Sequence, residues 1–154
     1  MERRTSIIIA PHADDELIGC YSVLLTGTVG NVFYGSEAAI EEAKACAAHF
    51  NFGRLLAEQA LPESVGMGYT FYFPDPAYEL HPLHRYLGAI GEDMLRNGED
   101  VIFYTTNMNA PYMHVVNAPE VKKGLLDSAY FEKRDLWKYD HKYFLFEGHC
   151  KWLI

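Results

Sequence analysis

His12, Asp14, Asp15 and Glu16 place four ionisable side chains within five residues. Imidazole nitrogen beside carboxylate oxygen is a donor set that suits zinc or another divalent transition metal. The competing reading is structural. An Asp at a helix N-cap accepts backbone N–H groups, and acidic residues are favoured in a first helical turn. Capping accounts for one Asp, at most two. It does not account for His12 or for two adjacent carboxylates. A second cluster, His81-Pro82-Leu83-His84, sets two histidines three apart at a helix start, facing roughly one side. Alone, such a pair is explained by one His that caps and one that packs or meets solvent. Beside His12, Asp14 and Asp15 it offers a second imidazole. One His and one Asp from the first cluster, one His from the second and a water would make a four-coordinate catalytic site.

For the two clusters to meet, the chain must bring them to one edge of a sheet. The run before His12, Thr5 to Ile9, is apolar and β-branched and reads as a buried strand. A helix is expected from Glu16 to Leu25. Asn31 to Tyr34 reads as a second strand, and Ser36 as the N-cap of a helix running to about Phe50. Residues 51–68 give no clear pattern, because Pro62, Gly66 and Gly68 interrupt it. Tyr69 to Phe73 is a strand, and Pro82 to Asn97 a helix with Pro82 in its first turn. Val101 to Tyr104 is the next strand, followed by a polar loop from Thr105 to Pro119 and a helix from Glu120 to Tyr130. Tyr143 to Phe146 is expected as a last strand. Strands alternating with helices predict a single α/β domain over residues 1–154: a Rossmann-like, mostly parallel sheet flanked by helices. In such a sheet both histidine clusters follow strands, at the carboxyl edge where ligands bind.

Composition narrows the function. The 154 residues carry a net charge of −8, which argues against a nucleic-acid polymer as partner. Cys20, Cys46 and Cys150 are widely spaced and form neither a disulfide framework nor a zinc ribbon. Residues 1–4 lead into an apolar run too short for a signal peptide, and no run spans a membrane. A cytoplasmic location is expected. The aromatic end of the chain, from Phe131 through Trp152, reads as core packing or as a homo-oligomer interface.

Ala10-Pro11-His12-Ala13-Asp14-Asp15-Glu16, with Gly19-Cys20 behind it, resembles the signature of the LmbE-like, or PIG-L, family of zinc-dependent de-N-acetylases. The helix with Glu41 and Glu42, the His81-Pro82-Leu83-His84 cluster and the stretch from Val121 to Leu126 resemble further family segments more loosely. The resemblance implies a Rossmann-like fold and removal of acetyl groups from N-acetylglucosamine-type conjugates. It implies zinc held by His12, Asp15 and His84, Asp14 as general base, and His81 as oxyanion stabiliser or acid. The chain departs from the pattern at Ala13, usually Pro, at Tyr21-Ser22, usually Gly-Gly, and at Leu83, usually Asp. It has no Arg near Ala39, where sugar-binding members carry one. It is short for the family, which implies missing peripheral elements.

Asp75, Tyr78 and Glu79 precede the second cluster and are expected to shape the pocket for a small N-acetylated substrate. Asn107 and His114, in the polar loop, are further candidates for substrate contact. His141 and His149 read as structural. Two other functions fit the same residues: a metal-dependent hydrolase of a modified nucleoside or phosphoester, and a catalytically silent module that binds a small ligand.

Overall fold

The computed structural model describes residues 5–153; the readings that fall on residues 1–4 and on Ile154 lie outside the described residues. The chain begins with β1 (Ser6–Ala10), in which every residue is buried. Such a continuous apolar run is what a central parallel strand requires, since helices cover both of its faces. Then come α1 (Asp15–Leu25), β2 (Val29–Tyr34), α2 (Glu37–Glu42), α3 (Lys44–Phe50), β3 (Gly53–Leu56), α4 (Ala57–Ser64) and β4 (Thr70–Pro74). The second half holds α5 (Pro82–Arg96), β5 (Asp100–Tyr104), β6 (His114–Val115), α6 (Pro119–Ala129) and a 3-10 turn, Phe131–Lys133. It ends with α7 (Asp135–Tyr139), α8 (Lys142–Leu145), β7 (Phe146–Glu147) and β8 (His149–Cys150).

Six strands form one sheet in the order β3-β2-β1-β4-β5-β8. The first five are parallel, and β8 lies antiparallel on β5. This is the mostly parallel, Rossmann-like α/β architecture the sequence predicts. Side chains alternate across the sheet. Ile8 and Ala10 point to a core shared with Leu17, Ile18, Cys46, Leu126 and Trp137. Ile7 and Ile9 point to the opposite core, with Ala57, Leu61, Leu87 and Met94 of α4 and α5. Fully burying each such Ile contributes roughly 1.5–3 kcal/mol.

The strand order reverses between β1 and β4. The connection from β1 leads outward to β2, whereas the chain returns across the sheet to reach β4. The loops after β1 and β4 therefore diverge and leave a crevice at the carboxyl ends of these two strands. The first histidine cluster lies on the loop after β1, and the second spans the end of the loop after β4 and the first turn of α5.

Several elements differ from the expected ones. The helix foreseen from Ser36 to Phe50 is broken at Ala43 (φ −82°, ψ 3°). The apolar spacing runs on through the break, so the sequence reads as one helix. Ser36 does cap α2, its hydroxyl accepting the Ala39 N–H at 3.2 Å. Residues 51–68 contain β3 and also α4, which holds Pro62 in its interior. The polar loop contains β6, which pairs with β7 in a separate two-stranded ribbon. The expected last strand, Tyr143 to Phe146, is instead α8 running into β7, and the sixth strand of the sheet is β8. A short apolar aromatic run has no periodicity that separates strand from helix.

α1 is kinked at Cys20 (φ −133°, ψ 28°). The Ile18 carbonyl accepts from the Lys122 ammonium at 2.7 Å, and the Ser22 N–H donates to both Glu147 carboxylate oxygens at 3.1 and 3.2 Å. Ile18 and Ser22 are the pair that an unbroken helix would join to each other. The Gly19 carbonyl lies 3.0 Å from His149 Nε2. Lys122 and Glu147 are fully buried. Burial pulls the Lys122 pKa down to about 8, against the opposing pull of Glu147. Gly19 is required here: a Cβ would stand 2.2 Å from the Tyr104 ring, which is itself fixed by a bond from its hydroxyl to the Ile9 carbonyl at 2.6 Å.

Candidate metal centre

The turn after β1 folds back on itself. Asp15 Oδ2 accepts the His12 N–H at 2.8 Å, the Asp15 N–H reaches the His12 carbonyl at 3.3 Å, and Glu16 Oε2 accepts the Asp14 N–H at 3.1 Å. Asp14 stands at the N-cap position of α1, yet its side chain makes no cap bond. Capping therefore does not account for Asp14, whereas Asp15 stands in the first turn of α1, where a carboxylate is favoured. Asp14 also has φ 101°, a conformation that costs a non-glycine residue about 1–3 kcal/mol.

His12 and Asp15 converge with His84, which lies on α5 across the crevice. His12 Nδ1 and His84 Nε2 are 3.0 Å apart, and Asp15 Oδ2 is 3.1 Å from His84 Nε2 and 3.5 Å from His12 Nδ1. Four donors in a tetrahedron at zinc distances of about 2.0–2.1 Å are separated by about 3.3 Å. The three atoms fit such a set with one position left open. His84 and Asp15 are buried, while the His12 side chain is 42% exposed, so the group opens to solvent on one side. Burial works against a charge on His84, but the carboxylates of Asp15 and Glu79 prevail and push its pKa up to about 10. Burial also opposes a charged Asp15, and the two histidines hold its carboxyl well below the usual range. The donor atoms of these three side chains could hold a metal ion, with the His84 proton released on binding.

Glu79, expected to shape the pocket, is largely buried and borders the cavity beside His81. It accepts from the Thr106 N–H at 2.8 Å and the Thr106 hydroxyl at 2.9 Å, with Oε2 3.4 Å from His84 Nδ1. A carboxylate behind the far nitrogen of a ligating His fixes the ring and its tautomer. Asp75 is also buried and engaged, by the Tyr112 hydroxyl at 2.8 Å and the Ala77 N–H at 2.8 Å. Tyr78 stacks edge-on against Tyr112. His114 is exposed on the β6–β7 ribbon, opposite Glu147, and does not line the cavity beside His81. Asn107 does line that cavity, with its amide donating to the Tyr78 carbonyl at 2.8 Å.

His81 combines the two readings given to the pair. It caps α5, its Nδ1 accepting the Leu83 N–H at 3.0 Å. Its ring also lies 4.7 Å from that of His12 and 5.3 Å from that of His84. Leu83, with no carboxylate to offer, packs among the apolar side chains of the second core. Asp14 is buried beside the donor group. Burial, then Asp15 and Glu16, raise its pKa well above the usual range, while Lys133 works the other way. Lys133 Nζ donates to the Ala13 carbonyl and lies 3.9 Å from Asp14 Oδ2 and 3.3 Å from Glu42 Oε2. Sequence reasoning misses Lys133, as it does Asp140 and Tyr143, which line the cavity. No spacing rule links residues so far apart in the chain.

No family model matches the chain, and no curated protein matches it. Among solved structures it is similar to a conserved protein, TT1542, from Thermus thermophilus. The TM-score is 0.61 at 17% identity, over 98% of this chain and 96% of that one. At this identity the likeness shows a shared fold.

Proposed function

We propose that the protein is a zinc-dependent N-deacetylase acting on a small N-acetylated amine of the N-acetylglucosamine type. The observation that carries the reading is the three-donor group of His12, Asp15 and His84, open on one side, with a buried non-ligand carboxylate, Asp14, beside it. Zinc bound there would supply a Lewis acid that activates a water and polarises the amide carbonyl. Asp14 receives the proton of the attacking water. Its raised proton affinity suits a general base, and Lys133 holds the loop that carries it. His81 donates from Nε2: with Nδ1 occupied by the Leu83 N–H, the neutral ring keeps its proton on the other nitrogen. A fixed donor of this kind stabilises an oxyanion. Glu79 Oε2, 3.4 Å from the otherwise unpartnered His84 Nδ1, would orient the ring on metal binding.

The three free cysteines fit a reducing compartment, and among the described residues no helix is long and apolar enough to cross a membrane. On this reading the enzyme works in the cytoplasm on a small molecule.

Elemental analysis of the purified protein should find near-stoichiometric zinc, and the His84→Ala variant should lose most of it. Asp14→Ala should keep the zinc and release no acetate. Zinc lost from Asp14→Ala but kept by Asp15→Ala would overturn the assignment. Absence of metal from the parent after supplementation would overturn the hydrolase reading altogether.

A further inference from the structure

Resting on the deacetylase reading, we infer that the cavity beside His81 selects N-acyl amines by charge. It accepts neutral or cationic ones and rejects anionic ones, with Asp140 as the residue that sets this preference. The cavity measures about 230 Å³ and is bounded by Glu79 to His81, by Thr106 to Asn109 and, from the C-terminal segment, by Asp140 and Tyr143. This is below the usual range for drug-sized ligands, roughly 300–1,000 Å³, and suits a molecule about the size of one sugar ring.

The lining contains no lysine or arginine. Its polar groups differ in what they have left to offer. Glu79 is committed to Thr106 and His84. Asn107 uses its amide nitrogen on the Tyr78 carbonyl and its oxygen on the Asn109 N–H at 3.2 Å. Asn109 Oδ1 receives the Lys142 ammonium at 3.2 Å, and Lys142 stands outside the lining. Asp140 accepts the Lys142 N–H, at 3.1 Å on Oδ1. Among the described residues no ion pair joins it to a cation. Tyr143, three residues on and within α8, lines the same cavity. Burial raises the pKa of its hydroxyl, and Asp140, Asp14, Glu79 and Asp15 all add to the effect. His81, whose ring lies 4.7 Å from that of His12, is the lining residue that joins this cavity to the donor group.

A phosphate or carboxylate on the substrate would meet Asp140 with no cation in the lining to receive it. A hydroxyl or ammonium would find an acceptor. The reaction itself is unaffected by this choice. Water adds to the acyl carbon, the C–N bond breaks, acetate leaves with the new C–O bond, and the nitrogen takes up protons to depart as an ammonium ion.

The test compares kcat/KM of the zinc-loaded protein on N-acetylglucosamine, N-acetylglucosamine 6-phosphate and mono-N-acetylputrescine. Parent protein should disfavour the phosphorylated compound by about threefold to fivefold, the scale of one like charge on a solvent-exposed side chain. In Asp140→Asn the ratio of phosphorylated to neutral substrate should rise by about the same factor. Asn retains the oxygen that receives the Lys142 N–H, and Asp140→Ser serves as a second neutral variant. Calorimetry of glucosamine and glucosamine 6-phosphate on the zinc-loaded Asp14→Asn protein reads the same preference without turnover. A parent that prefers the phosphorylated compound, or neutral variants that leave both the kinetic and the binding ratios unchanged, would overturn the inference. If no acetylated compound is hydrolysed, the deacetylase reading falls by itself. The calorimetric ratio then decides the charge preference: a gap that closes in Asp140→Asn supports it, and no gap overturns it.

Discussion

At the start of α1 and again at its middle the chain leaves helical geometry, at Asp14 (φ 101°) and at Cys20 (φ −133°, ψ 28°). At Cys20 the neighbouring backbone groups are taken up by partners from the C-terminal part of the fold: Lys122 on Ile18, Glu147 on Ser22 and His149 on Gly19. At Asp14 the opposite holds. The side chains of His12 and Asp15 converge with His84 on a common point, and the cap bond that Asp14 could make is not made. One distortion is mended and reads as structure. The other brings two imidazoles and a carboxylate together at 3.0–3.5 Å, a donor set that could hold a metal ion. Within a single helix, one irregularity is closed by its own fold and the other, on the proposed function, serves the site.

Four measurements would break or sharpen this contrast. The largest effect is expected at the mended break. Glu147→Ala leaves Lys122 buried without its opposite charge and should cost about 3–5 kcal/mol in denaturant unfolding, with zinc stoichiometry retained in the folded fraction. Loss of zinc at full stability would reverse the two roles.

The next is a pH effect at Glu16, whose pKa burial pushes up to about 7 despite the bond from the Tyr130 hydroxyl. The folded state then holds a proton that the unfolded state releases above about 4.3. Metal-free protein should lose stability as pH rises from about 4.5 to about 7, by up to roughly 3 kcal/mol from this group. Glu16→Gln should flatten the slope of unfolding free energy in that window; an unchanged slope would remove Glu16 as its source.

Third, Glu79→Gln should weaken zinc binding about 10–100-fold in a chelator competition, the range for a carboxylate behind a ligating histidine. Wild-type affinity would confine Glu79 to the Thr106 contact. Smallest is the backbone effect: Asp14→Gly should gain about 1 kcal/mol in thermal or chemical unfolding, because glycine tolerates the positive φ. A loss of stability would mean that the Asp14 side chain supports the turn.

What is legible in the sequence follows the same division. β1 and its turn are legible because a buried strand and four ionisable groups are local signals. His84 is legible because the His81–His84 spacing fixes a helix face and the strand before it fixes the sheet edge. The second role of Glu79 is not, because its orientation toward His84 depends on how the loop after β4 closes against Thr106. Lys122, Glu147 and His149 act on α1 from more than a hundred residues away, and no periodicity encodes such a meeting. α8 escapes the sequence pattern because Tyr143-Phe144-Leu145-Phe146 is apolar throughout, and all four side chains pack on the first core.

The position of these groups along the chain also orders events in time. Synthesis runs from the N-terminus at about 5–20 residues per second, so His12, Asp15 and His84 emerge several seconds before Glu147 and His149. Contacts that close loops of 104 and 125 residues are slow to form. A ribosome-bound chain therefore presents its full donor set while the helix beginning at Asp15 still lacks the partners that hold its second half, and a metal captured at that stage would anchor the rest of the fold.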